Sequence, residues 1–158
     1  MKYTVLTVLM ILALSLSTAS ASYTYDQVQN YVGQYDARID NAPEPVKSLM
    51  TGLLGSERID LNISMNDGSI FSVGFETKEA RVSNISMGSF QNPTIIMTAT
   101  DGAIERIKVS DDPVATFQEE MKYGQVTVEG TNPFTSLKLS AVLSSLPVMK
   151  FFSSIFFG

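Results

Sequence analysis

Residues 110–134 read SDDPVATFQEEMKYGQVTVEGTNPF, and one device occurs in them twice. Asp112-Pro113 and Asn132-Pro133 each set a short side-chain acceptor directly before a proline. The acceptor can take up an orphan N–H at a helix start, and proline suits the first helical position because its missing N–H leaves nothing unpaired. Each pair therefore opens a helix. Val114, Phe117 and Met121 share one face of the first, and Gly124 ends it. Between the helices Val126 and Val128 alternate with polar residues, bracketed by Gly124 and Gly130. The period switches from 3.6 to 2 and back, as it does where helices lie on a sheet.

Upstream, the same reading gives strands. Thr94–Thr100, TIIMTAT, is β-branched and strand-forming. Asp101 is expected to cap a short helix carrying Ile104 and Ile107. Ile59, Leu61, Ile63 and Met65 alternate with Asp60, Asn62 and Ser64, a strand with one buried face. Asn66-Asp67-Gly68 is a hairpin signal. The return strand sets Phe71, Val73 and Phe75 on one side and Ser72, Gly74 and Glu76 on the other. Ala80–Met87 is a strand whose parity slips, which predicts a bulge near Asn84. Residues 88–93, GSFQNP, read as loop.

Further upstream, Val28, Tyr31, Val32, Tyr35 and Ile39 form one helical face. Asn41-Ala-Pro-Glu-Pro ends that helix. A second, from Glu44 to Leu54, presents Val46, Leu49, Met50, Leu53 and Leu54, with Gly55 as its expected cap. The helix after Asn132-Pro133 is expected to turn Phe134, Leu137, Ala141 and Leu143 to the core. The order α α β β β β α α β α makes a two-layer α+β domain.

Both ends of the chain differ from this core. Lys2, the run VLTVLMILAL and the sequence STASA, with Ala19 and Ala21 spaced for cleavage, have the pattern of a secretory signal peptide. The apolar run is about half the ~20 residues a membrane span needs. The expectation is export to an extracellular, periplasmic or cell-surface location after cleavage near Ala21. At the other end, Val148, Phe151, Phe152, Ile155 and Phe156 follow a narrow helical stripe behind Pro147. Three readings stand for this tail: a lid over the interior, ordinary packing, or a membrane contact.

Composition excludes several functions. The net charge is −5, and losing Lys2 makes it more negative; nucleic acid wants a basic face. There is no His and no Cys, so the usual general base and thiol nucleophile are missing. Glu76 with Glu79, and Asp111 with Asp112, read as surface charge or capping. No catalytic residue, metal ligand or cofactor is expected. Asn62-Ile63-Ser64 and Asn84-Ile85-Ser86 match the glycosylation tripeptide, a common chance pattern.

The succession NDG hairpin, Ile95–Asp101 strand entering a helix, Asp112-Pro113 helix, Gly124-x-Val126-x-Val128-x-Gly130 and closing helix resembles the sterol carrier protein 2 family. The resemblance runs from about Arg58 to Leu146. It implies a five-stranded, mostly antiparallel sheet with helices packed on one face and an apolar cavity between the layers. It also implies a sterol, isoprenoid, fatty-acyl or phospholipid ligand.

The chain then divides into a signal peptide (1–21), an N-terminal helix (22–42), a lipid-binding domain (43–146) and the tail (147–158). The candidate ligand-binding residues are the inward apolar positions. On the strands they are Phe71, Val73, Phe75, Ile85 and Met97. On the helices and tail they are Ile104, Phe117, Met121, Leu137, Phe151 and Phe152. Flexible methionine suits an adaptable apolar site. A bilayer offers a lipid nearly what a cavity does, about 0.8 kcal/mol per methylene. Such a cavity is expected to be greasy, weakly selective and free of buried ionic groups. The expected partner is a hydrophobic small molecule, with a transient membrane contact open and no oligomeric state implied. The alternative is a structural or interaction module with a filled core, whose tail binds a partner or a membrane.

Overall fold

A computed structural model describes residues 23–156; the signal-peptide reading of residues 1–21 lies outside them. The elements run α1 (Tyr25–Ile39), α2 (Glu44–Leu53), β1 (Arg58–Ser64), β2 (Ile70–Lys78), β3 (Arg81–Met87) and β4 (Ile95–Thr100). They continue as α3 (Asp101–Lys108), α4 (Pro113–Lys122), β5 (Val126–Gly130), α5 (Pro133–Leu143) and α6 (Leu146–Phe156). The strands form one sheet ordered β3-β2-β1-β4-β5. β1 and β4 are parallel, and the other pairings are antiparallel.

The start signals act as their chemistry predicts. Asp112 accepts the Ala115 N–H at 3.0 Å and Asn132 the Thr135 N–H at 2.9 Å, each with proline at the first turn. Thr24 and Gln27 form a capping box at α1. Gly68 turns the NDG hairpin with φ +84°, and Gly124 ends α4 with φ +69°.

Register builds the core. Ile59, Leu61 and Ile63 of β1 stand beside Phe75, Val73 and Phe71 of β2 on one flank, and beside Ile95, Met97 and Ala99 of β4 on the other. The helices cover this face, and α1 contributes all five expected residues. The slipped parity of β3 is real: Asn84 pairs with Glu76 and Val82 with Thr77, so Ser83 is the extra residue. That returns Val82 and Ile85 to the inner face.

Several expectations are corrected. Thr100 rather than Asp101 caps α3, accepting the Ala103 N–H at 3.2 Å. Leu54 rather than Gly55 is the C-cap of α2. Ala80 belongs to a turn, with Glu79 at φ 53° and Ala80 at φ 68°. This is the two-residue hairpin conformation that usually takes Asn-Gly. It is held from outside, because Tyr35 donates to the Ala80 carbonyl at 2.6 Å and the Ala80 N–H to Leu54 at 3.1 Å. α5 turns the other way from expectation: Leu139 and Val142 are buried, while Phe134 and Leu137 are exposed. Apolar residues fall on both its inner and its outer face, so periodicity carries no phase.

α6 begins at Leu146 and runs through Pro147 in its first turn. Val148 and Met149 are fully buried, and Arg38 donates to the Ser154 carbonyl at 2.9 Å. The start of the tail is thus core. The side chains of Phe152, Ile155 and Phe156 lie outside the described ones.

Candidate functional site

The inner face of the sheet and the helices above it enclose one apolar layer. Phe75, Met97, Ile104 and Phe117 are at most 1% exposed, and Val73 equally so. Phe71, Ile85, Met121 and Phe151 are half-buried and pack against that centre. Nine of the eleven candidate residues therefore face the interior. Leu137, 70% exposed, does not, and the Phe152 side chain is outside the described ones. The sequence reading missed Met149, whose thioether meets Gln118. It also missed Tyr23 and Tyr25, which precede or open α1.

Those two tyrosines hold α1 across the sheet. The Tyr23 ring lies 5.7 Å from that of Phe71, tilted by 45°, and its hydroxyl donates to Asp101 at 2.8 Å. Asn66 donates to the other Asp101 oxygen at 2.7 Å. Asp101 is itself buried, at the joint C-terminal rim of the parallel strands β1 and β4. Burial first, then the hydrogen bond to Asp101 and its charge, pushes the Tyr23 phenol far above its ordinary pKa. The ring stays neutral and donating. Tyr25 donates to the Ile85 carbonyl at 2.8 Å.

Buried ionic groups do occur, at the rim and not in the apolar centre. Arg106 grips Glu120 with two bonds, of 2.5 and 2.8 Å, and Lys138 reaches Glu57 at 3.0 Å. Both carboxylates are buried. The first pair joins the successive helices α3 and α4, 14 positions apart, and the second joins residues 81 positions apart, so no spacing within one helix signals either. They stitch the rim and lie outside the apolar centre. Asp60 is also buried, beneath the 88–93 loop, where it accepts the Phe90 N–H at 2.9 Å.

Two open clefts are described. One, of about 490 Å³, lies at the N-terminal ends of β1 and β4, between Gly55–Arg58 and Glu76–Glu79. The other, of about 340 Å³, separates β5 from α5. No candidate ligand residue lines either. The larger cleft holds Glu57, Glu76 and Glu79, but Glu57 is paired with Lys138 and Glu76 accepts from Asn84 at 3.2 Å. Among the described residues no His, Cys, Asp and Glu group is arranged to hold a metal. No described helix is long and apolar enough to cross a membrane.

No family model matches the chain, and no curated protein matches it in sequence. Solved structures do. A conserved hypothetical protein from Thermus thermophilus, a candidate sterol carrier protein, is similar over 88% of this chain and 92% of its own. Its TM-score is 0.54 at 6% identity. Sterol carrier protein 2 like 2 from Aedes aegypti is 19% identical over 73% of this chain and 94% of its own, with a TM-score of 0.43. Apo sterol carrier protein 2 from Yarrowia lipolytica is 15% identical over 76% and 99%, with a TM-score of 0.44. The chain has a sterol carrier protein 2-like fold, with a five-stranded mixed sheet and six helices among the described residues.

Proposed function

We propose that the chain is an exported, non-catalytic carrier that holds one sterol, isoprenoid or fatty-acyl ligand between sheet and helices. One observation carries the reading. The centre of the layer between sheet and helices is apolar, and its outer members Phe71, Ile85, Met121 and Phe151 are only half-buried. A chain-like ligand gains about 0.8 kcal/mol for each methylene it hides there. Methionine and phenylalanine at the margin can repack around ligands of different shape. The buried carboxylates stay at the rim, each with a partner, so no charge faces the ligand's tail. Export is read from the leader-like residues 1–21.

The test is native mass spectrometry of protein recovered from an exporting host, with organic extraction of whatever travels with it. A lipid near one per chain is expected. A polypeptide that stays bare after incubation with fatty acids, sterols and phospholipids sinks the reading.

A further inference from the structure

Among the described residues no other helix or strand covers the outward face of α5. Phe134 is 67% and Leu137 70% exposed, and Ala141 is exposed one turn on. These positions, i, i+3 and i+7, form a stripe opposite the buried Leu139 and Val142. The orientation is fixed from below. A Cβ on Gly130 would come within 2.6 Å of the Ser136 nitrogen, so β5 and α5 already touch. The helix cannot roll its stripe inward without breaking that contact.

Charge says what the stripe meets. The chain has 16 acidic residues, yet none lies between Thr131 and Gly158. The one charge on α5, Lys138, sits 4.6 Å from the centre of the Phe134 ring and is balanced by Glu57. Glu129 stands on the flanking strand, across the cleft from Ser136 and Ser140. The stripe is therefore neutral and apolar on an otherwise acidic protein. Lipid phosphates approaching α5 meet no carboxylate of its own. A second copy is a poor fit, since a stable dimer buries about 800 Å² per partner. One aromatic residue supplies only ~150–250 Å² of that.

We propose that the α5 stripe, led by Phe134 and Leu137, docks the protein on a lipid bilayer. The side chains enter the interface while the sheet stays in water, as amphipathic surface helices do. The inference rests on the carrier reading, because a carrier has to meet the bilayer it loads from.

The chain has no tryptophan, so Phe134→Trp in the full chain gives a single reporter at the stripe. Phosphatidylcholine vesicles are expected to shift its emission to the blue, and acyl-brominated lipid to quench it. The same reporter at Ile70, exposed on β2, is expected not to respond. No shift at position 134, or an equal shift at both, overturns the proposal. A shift that needs no vesicles and grows with protein concentration overturns it in favour of a second copy. F134S/L137S is expected to slow lipid delivery to vesicles about tenfold or more while its lipid occupancy in native mass spectrometry stays unchanged; unchanged delivery counts against docking. Bare protein with a responding reporter removes the carrier reading alone, and loaded protein with a silent reporter removes docking alone.

Discussion

The Glu57 carboxylate, at the entry to β1, accepts a hydrogen bond from Lys138 of α5 at 3.0 Å across 81 positions of sequence. The Glu57 side chain is 5% exposed and that of Lys138 26%. Removing one member of a buried pair strands the other's charge. Lys138→Ala is expected to cost about 2–3 kcal/mol in urea denaturation, less than for full burial because Lys138 is partly wetted. E57L/K138M is expected to cost less than either single change. Additive losses would show that the pair is not coupled.

The Glu79-Ala80 turn places two side-chain-bearing residues at positive φ, a conformation that costs roughly 1 kcal/mol or more per residue. Glu79 is exposed, so changing it disturbs no packing. Glu79→Gly is expected to raise the unfolding midpoint by the equivalent of about 0.5–1 kcal/mol. A lower Tm would mean that the turn is not strained.

On the outer face of the sheet, a Cβ on Gly74 would lie 2.7 Å from the Phe90 ring. Gly74→Ala is expected to cost about 1–3 kcal/mol by overpacking. The Ser86 hydroxyl, 2.8 Å from the same Cβ, can rotate away, so most of that loss should disappear in a Phe90→Ala background. Equal losses in both backgrounds would remove Phe90 as the cause.

Burial raises the Asp36 pKa, against the lowering effects of the Val82 N–H and Arg81. An acid whose folded pKa exceeds its unfolded one binds more protons when folded. Its contribution to stability therefore falls as pH rises from the ordinary carboxylate value, about 4, through the raised one. Asp36→Asn, which can still accept from Val82, is expected to be the more stable protein at pH 7. Its advantage should vanish below about pH 4. A constant gap across the pH series would assign it to another cause.

Two stop positions divide the roles of the tail. Ending the chain before Leu146 removes Val148 and Met149, each worth about 1.5–3 kcal/mol of burial, and is expected to abolish cooperative unfolding. Ending it after Lys150 keeps both, and is expected to leave far-UV circular dichroism intact while speeding release of bound lipid. Unchanged release would make the far end packing alone.

Where local chemistry decides, the sequence was legible. The α1 face from Val28 to Ile39, the NDG turn, the Asp112 and Asn132 caps and the parity slip in β3 are each written within a few residues. What stayed hidden depends on distance or lacks contrast. α5 carries leucine on both its inner and its outer face, so nothing local says that Leu139 is in and Leu137 out. Asp60 alternates like a surface residue until the 88–93 loop covers it. The partners Glu57–Lys138 and Tyr23–Asp101 lie too far apart for any spacing rule. Of the candidate site, the strand residues were readable by parity, whereas Leu137 inherited the misread phase of its helix.

Tyr23 is secured only when Asp101, 78 positions later, is in place, and Arg38 waits for Ser154, 116 positions on. A chain emerging from the ribosome N-terminus first can lay the middle of α1 on β3 once residue 85 is made, through Tyr25, Tyr35 and Asp36, but these two ties at its ends come later. The parallel pairing of β1 with β4 adds a second delay, because β4 must return past the β2–β3 hairpin. The two ends of the N-terminal helix are therefore fixed by the later half of the chain, and the order of synthesis sets the order in which its ties can form.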